Sequence, residues 1–416
     1  MLCVLAGPAE GTSSAMEKFE ASSLLTSEGL VHLTRQLITC ESVTPHEGGA
    51  LLLLQEVLSG LGCEVFPLVF EGDGGPITHN LFAKWGRGSP HFCFAGHTDV
   101  VPAGDMRRWL YPPFSGALED GCVWGRGAVD MKGAIASFVS AFARFVQSAN
   151  PDHVAISFMI TGDEEATGIN GTPKIIAWLE ARGEKPDFCL VGEPTSCTHL
   201  GDHVKIGRRG SLNGVLQVFG TQGHVAFPSK ADNPVPRLLD TLLALSQGPQ
   251  EKASALFEPT RLEITSVDVG NPTVNLIPGS ASARFNIRFS DQQSHTSLEE
   301  WLRQTCARLG GQHTLDLQLS GVAEAMEPGP LTDMVVAATK ECLDVTPHLT
   351  TRGATSDARF IRHMCPVLEL GLFEHTMHQI NERVAVGDLE TLARLYEGIL
   401  TRYFSSHVDG RVFIQT

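Results

Sequence analysis

Five short polar clusters in this chain carry residue types able to hold a cation. They are Gly96-His97-Thr98-Asp99, Asp130 inside Gly127-Ala128-Val129-Asp130-Met131-Lys132-Gly133, Gly162-Asp163-Glu164-Glu165, Gly192-Glu193-Pro194, and the stretch from His375 to Glu382. A lone His near an Asp is more often a satisfied structural histidine, and an isolated Asp-Glu-Glu turn is by default a solvated loop. Recurrence changes the reading. Unpaired carboxylates are costly to bury, so several that converge imply a positive ion among them. Imidazole and carboxylate without thiolate suit Zn²⁺, and Co²⁺ or Mn²⁺ can occupy the same donors. Two ions need about three ligands each with one shared. His97, Asp130, Glu165, Glu193 and His378 meet that count if Asp130 bridges.

Two further carboxylates are free for other work. Asp99, two residues after His97 on an extended chain, is expected to accept the second ring N–H of that histidine and fix its orientation. Glu164, beside Glu165, is expected to take a proton from an attacking water and return it to a leaving amine.

Positioning such groups needs a rigid edge. Apolar runs at 91–95, 154–160 and 188–191 each end abruptly in one of the polar clusters, the pattern of buried strands in an α/β sheet. Open sheets of that kind place ligands at the carboxyl ends of their strands. Apolar residues recurring every three or four positions predict helices through Leu30–Leu37, Leu51–Leu58 and Ile135–Val146. From about 210 to 322 the texture becomes alternating strands (214–219, 262–269, 281–289) with two helices (235–245, 297–309), as in an inserted α+β unit. After Pro328 the first texture resumes, with a helix at 331–342, a strand at 367–370 and a closing helix at 389–403. The expected organisation is therefore a flexible extension over 1–26, a discontinuous catalytic domain of 27–209 and 323–416, and an inserted domain of 210–322.

Composition narrows the partners. A chain of 416 residues exceeds what one core usually organises. With 31 Lys and Arg against 47 Asp and Glu, the net charge of −16 offers no footprint for a nucleic-acid backbone. An anionic small molecule would need a local cationic cluster. The 10 Cys contain no CxxC pair and read as reduced and structural. Met1–Ala6 has no basic residue before it and fails as a signal peptide, and no apolar run is long enough to span a membrane, so a cytoplasmic protein is expected.

The polar clusters, in their order, resemble the dinuclear zinc aminoacylase and carboxypeptidase superfamily. Gly96 to Pro102, Trp124 to Gly133, Asp163-Glu164-Glu165 and Gly192-Glu193-Pro194 all match it, and the likeness runs from about residue 28 to 405. It implies an α/β, dinuclear-zinc aminopeptidase-like catalytic domain with an inserted α+β dimerisation domain, and hence a homodimer binding two Zn²⁺ per subunit. By the same resemblance Asp130 bridges, His97 and Glu193 hold one ion, and Glu165 and His378 hold the other. His378 is preferred to His375 because His378-Gln379-Ile380-Asn381-Glu382 matches the last ligand segment.

Further matches lie at Gly207-Arg208-Arg209-Gly210-Ser211, Gly223 to Pro228, Asn275-Leu276-Ile277-Pro278, Phe285 to Phe289 and Thr355-Ser356-Asp357. They point to the branch that cleaves an N-succinylated diamino diacid, a ligand with three carboxylates and one ammonium. Lys205, Arg208 and Arg288 are its expected cationic contacts, with Asn275 and Thr355 as hydrogen-bonding partners. His224 is expected to reach the site across the dimer and donate to the carbonyl oxygen under attack. Ala354 replaces a glycine of that branch, and Glu374 stands where many relatives carry an uncharged residue. A carboxylate there either repels an acyl carboxylate or meets the substrate ammonium. The alternatives are an acetylornithine deacetylase or another N-acyl-amino-acid deacylase on the same scaffold, and, from a different class, a binding protein that keeps the fold without catalysis. Loss of a ligand or of Glu164 would mark the latter, and none is missing.

Overall fold

The computed structural model of the protein describes residues 21–408 apart from 253 and 354. Its centre is an eight-stranded mixed sheet. The strands lie in the order Glu64–Gly72, Gly75–Trp85, Ala155–Thr161, His91–His97, Phe188–Val191, Val367–Glu369, His203–Lys205 and His348–Thr350. From Ala155–Thr161 to Val367–Glu369 the neighbours run parallel, in register Phe94 with Phe158 and Leu190. Every residue of His91–His97, Ala155–Thr161 and Phe188–Val191 is buried, as expected for strands covered on both faces.

Alternation along the strand sorts the side chains to the two faces. Phe92 and Phe94 join a large core with helices Ser27–Thr39, Ala50–Gly60, Gly133–Phe145 and Val386–Val408. Phe138 stacks on Phe94 at 4.1 Å between ring centroids. Cys93 and Ala95 point the other way, to a smaller core closed by helices Thr172–Glu180 and Ala358–Ile361.

Strands Arg261–Asp268, Ser280–Phe289, Gly210–Phe219 and His313–Gly321 form a separate antiparallel four-stranded sheet. Helices Pro234–Ser246 and His295–Leu309 cover it around a core of its own, which includes Leu216, Leu238, Phe285 and Leu302. Each of the elements named for this stretch in the sequence forms, with ends shifted by a few residues.

One expectation is corrected at the amino end. Residues 1–20 lie outside the described part, but Ala21–Leu25 is a 3-10 turn with Leu24 fully buried. Ser140 Oγ donates to Leu24 O at 2.8 Å, so residues 21–26 belong to the packed body and not to an extension. The hairpin Glu64–Trp85 was not foreseen. Its first strand, with only Leu68 buried, lacks a clean period. No described helix is long and apolar enough to cross a membrane.

Candidate metal centre

The parallel strands deliver their polar ends to one edge of the central sheet. His97 is the last residue of its strand, Glu164 and Glu165 follow Thr161, and Glu193 follows Val191 by two residues. Asp130 sits in a tight turn before helix Gly133–Phe145. The Met131 side chain of this turn packs against the strand ends because Gly96 and Gly192 lack side chains. A Cβ on either would lie 2.6 and 2.8 Å from Met131 Cε.

The two carboxylate oxygens of Asp130 face different histidines. Oδ1 is 3.1 Å from His97 Nε2 and Oδ2 is 3.1 Å from His378 Nε2. His97 Nε2 is also 3.5 Å from Glu193 Oε1, and His378 Nε2 is 2.7 Å from Glu165 Oε1. Glu164 has a carboxylate oxygen within 4.8 Å of His97 and Glu193 donor atoms. The five residues expected to bind metal, with Glu164, thus converge on one point. His375 instead stacks on Phe373.

The protonation pattern shows what such a cluster lacks. Burial pulls the His97 imidazole down, but the Asp130 and Glu193 carboxylates hold it well above its usual range. Asp130 and Glu165 raise His378 to about 10. Burial and the charge of Asp130 push Glu193 up to about 7, while burial and Glu193 lift Glu164 well above a normal glutamate. Four buried or nearly buried carboxylates, Asp130, Glu164, Glu165 and Glu193, face only two imidazoles here. The protons shared between each imidazole nitrogen and its facing carboxylates occupy the space a cation would take, so the donor set fits two divalent ions with Asp130 between them. No thiolate belongs to it, which suits Zn²⁺, Co²⁺ or Mn²⁺.

Asp99 does not do what its spacing predicted. Its carboxylate is 3.7 Å from His97 Nδ1, and the backbone carbonyl of Asp99 accepts from that nitrogen at 2.9 Å. The carboxylate instead accepts the backbone N–H groups of Glu164 at 3.2 Å and Glu165 at 2.9 Å. It therefore fixes the acidic turn and leaves the imidazole to the main chain.

A supporting ion pair was missed in the sequence. Fully buried Glu382 accepts from Arg126 Nη1 at 2.6 Å and from the N–H groups of Val129 at 3.0 Å and Asp130 at 3.3 Å. Arg126 also donates to the carbonyls of His378 and Gln379. The signal was present, since Glu382 closes the last motif, but its partner lies 256 residues away.

The expected substrate contacts fall into three groups. Lys205 and Thr355 line a cavity of about 320 Å³ that opens beside Glu193. Lys205 Nζ already pairs with buried Glu369 at 2.9 Å. Arg208 lines a neighbouring cavity of about 120 Å³ with Lys205, Arg359 and Arg362, and its buried Nε makes no hydrogen bond among the described residues. Arg288 lies opposite Ser211 on the smaller sheet, and burial together with the charge of Arg209 lowers its pKa. His224 and Asn275 lie side by side, with the Val225 N–H donating to Asn275 O at 3.1 Å. His224 is exposed, its Nδ1 accepts the Ala226 N–H at 3.0 Å, and among the described residues neither His224 nor Asn275 bonds to the metal-type donors. Within one chain the structure does not bring these two to the site. Ala354 lies outside the described residues, while Glu374 lines the larger cavity.

Comparison with known proteins gives a consistent picture. Residues 93–402 match the model of peptidase family M20/M25/M40. Succinyl-diaminopimelate desuccinylase of Rhodospirillum centenum is 48% identical over 375 residues, covering 90% of this chain and 97% of that protein. A Staphylococcus aureus tripeptidase has the same fold, with a TM-score of 0.73 at 17% identity over 92% of this chain and all of its own. A dinuclear metal-binding M20 peptidase of Bacillus subtilis gives a TM-score of 0.64 at 13% identity, with 91% and 98% covered.

Proposed function

The chain belongs to peptidase family M20/M25/M40, and from that membership we propose that it is a metal-dependent amidohydrolase, a succinyl-diaminopimelate desuccinylase. The reaction converts N-succinyl-LL-2,6-diaminopimelate and water to LL-2,6-diaminopimelate and succinate, a step of lysine biosynthesis. One observation carries the chemistry: Asp130 presents one oxygen to His97 and the other to His378, with Glu193 and Glu165 flanking them. The specificity rests on relatives of that name across nine-tenths of the chain.

His97, Asp130 and Glu193 would hold one Zn²⁺, and His378, Asp130 and Glu165 the other. Bound there, the ions supply Lewis-acid polarisation of the amide carbonyl and a lowered pKa for water. Glu164 takes the proton of the attacking water and hands it to the leaving nitrogen. Asp99 keeps Glu164 and Glu165 in register through their backbone N–H groups. Arg126 and Glu382 hold the turns that carry Asp130 and His378.

Substrate carboxylates meet fixed cations, which an acidic chain must supply locally. Arg208 and Arg288 are the cationic contacts, with Lys205, Asn275 and Thr355. We read 27–209 and 323–416 as the catalytic domain and 210–322 as the dimerisation domain, supported by the separate core of the smaller sheet. In the homodimer the partner's His224 would complete each site, in keeping with the exposed imidazole, whose Nδ1 is oriented by the Ala226 N–H.

The deciding experiment offers metal-reconstituted protein N-succinyl-LL-diaminopimelate and N-acetylornithine side by side. Succinate release with a kcat/KM well above that for deacetylation is expected. A preference for the acetylated substrate would move the chain to the deacetylase branch.

A further inference from the structure

A second group of metal-type donors gathers just beyond Glu193, where the chain folds back on itself. Asp202 accepts the backbone N–H groups of Cys197 at 2.8 Å, Thr198 at 2.7 Å and His199 at 3.0 Å, which fixes this loop. Its Oδ1 also faces His203 Nδ1 at 2.9 Å. From the segment after strand Val367–Glu369, Glu374 brings Oε1 to 3.5 Å from Cys197 Sγ. Donor atoms of Cys197, Asp202 and His203 lie within 4.8 Å of one another. Amide cleavage as derived above uses none of these side chains.

The arrangement repeats the geometry at the main centre, an imidazole nitrogen against a carboxylate oxygen at about 3 Å. Such a separation accommodates an ion at roughly 2.0 to 2.2 Å from each atom. The donors differ in one respect. A thiol is present here, which favours a thiophilic borderline cation over Mg²⁺ or Ca²⁺. Asp202 has about four acceptor positions, occupied by three N–H groups and the imidazole. An ion replacing the shared imidazole proton leaves that count unchanged. Cys197 and Glu374 then bring the set to four, the usual coordination number of closed zinc sites.

We propose that Cys197, Asp202, His203 and Glu374 form a separate binding site for one thiophilic divalent cation, Zn²⁺ by its donor set, whose occupancy obstructs the substrate cavity. Binding displaces the Cys197 thiol proton to solvent, and His203 ligates through Nδ1 as the neutral ring with its proton on Nε2, so protonation of either residue competes with the ion and affinity falls as pH falls. Cys197, His203 and Glu374 all line the 320 Å³ cavity that opens beside Glu193. An ion held there occupies space next to the reacting amide and turns Glu374 away from any ligand. Excess zinc thereby becomes an inhibitor acting from a site other than the catalytic one. The binding stands on this geometry alone, whereas its effect on turnover rests on the function proposed above.

The test exploits the absence of sulfur from the main centre. Protein carrying two equivalents of Zn²⁺ is titrated with Cd²⁺ while the ultraviolet thiolate-to-metal charge-transfer band is followed. One saturating equivalent is expected, lost in Cys197→Ser and in His203→Gln, and bound about tenfold more weakly in Glu374→Gln. No band in the wild type, or a band undiminished in Cys197→Ser, overturns the site. In parallel, excess Zn²⁺ is expected to depress kcat/KM in the wild type and not in Cys197→Ser. Equal inhibition of both overturns the obstruction. Protein that shows the band but never hydrolyses the succinylated substrate contradicts the proposed function and leaves the cation site standing.

Discussion

Arg126 Nη1 donates to Glu382 Oε2 across 2.6 Å, with both side chains withdrawn from solvent. The pair holds two turns that carry metal-type donors, because Glu382 also receives the Asp130 N–H and Arg126 also reaches the His378 carbonyl. Removing the charge of one member leaves the other buried and uncompensated. Glu382→Gln is therefore expected to lower stability by about 3 to 5 kcal/mol and to weaken metal retention. Thermal melting and metal content after dialysis measure the two effects. A variant that melts and holds metal as the wild type does would remove the pair from this role.

Glu164 stands within reach of the cluster, but neither of its carboxylate oxygens is hydrogen-bonded among the described residues. Glu164→Gln is expected to keep both ions and lower kcat by about 10²- to 10⁴-fold, the usual worth of a general acid–base. Metal analysis alongside steady-state kinetics separates this from loss of the centre. Near-normal turnover would assign the proton transfer elsewhere.

His224 is exposed, and among the described residues it makes no hydrogen bond to the metal-type donors of its own chain. If it acts in the neighbouring subunit, mixing inactive His224→Ala with inactive Glu164→Ala under conditions of subunit exchange restores one working site of two. A donor to a developing oxyanion is worth about 2.7 to 4 kcal/mol, so His224→Ala alone should lose roughly 10²- to 10³-fold in kcat. Exchange without recovery would reject action in trans.

Stability should also fall in mild acid because of a residue far from the metals. Burial, aided by the charge of Lys84, lowers the His91 imidazole from its usual 6.5 to about 4. The folded protein thus holds this ring neutral where the unfolded chain protonates it. The contribution is fully present above pH 6.5 and is lost as pH falls from 6.5 towards 4, by up to about 3 kcal/mol. His91→Gln can keep a contact with Ser157, whose Oγ lies 2.8 Å from the ring. Denaturant unfolding between pH 4 and 7 should show a shallower pH dependence in that variant, and parallel curves would refute the assignment.

Much of this architecture was legible because period and punctuation coincide. The buried runs ending at His97, Thr161 and Val191 are uniformly apolar until a sharp polar stop, so strands and donor edge emerged together. The helices of the smaller unit were equally plain, with Leu238, Leu242 and Leu245 on one face. What escaped depends on backbone direction. Asp99 follows His97 by two residues just past the strand end, where the main-chain carbonyl reaches the ring first and the carboxylate turns to the acidic loop. Pairing of Lys205 with Glu369, 164 residues apart, likewise leaves no local trace.

The order in which the sheet is assembled bears on how the chain must be synthesised. Strand Val367–Glu369 lies between Phe188–Val191 and His203–Lys205, so a late segment fills a gap left by two early ones. A nascent chain emerging from the ribosome presents Phe188–Val191 as an open, wholly apolar edge until the four-stranded unit has been translated. Exposed edges of that kind invite mispairing with other chains. Independent folding of the intervening unit would return the chain to the region of that gap before the missing strand arrives, because Ser211 and Gly321, near its two ends, pair across neighbouring strands. Truncation before residue 367 should accordingly yield aggregates, since the same late segment delivers both the sheet's closing strand and His378.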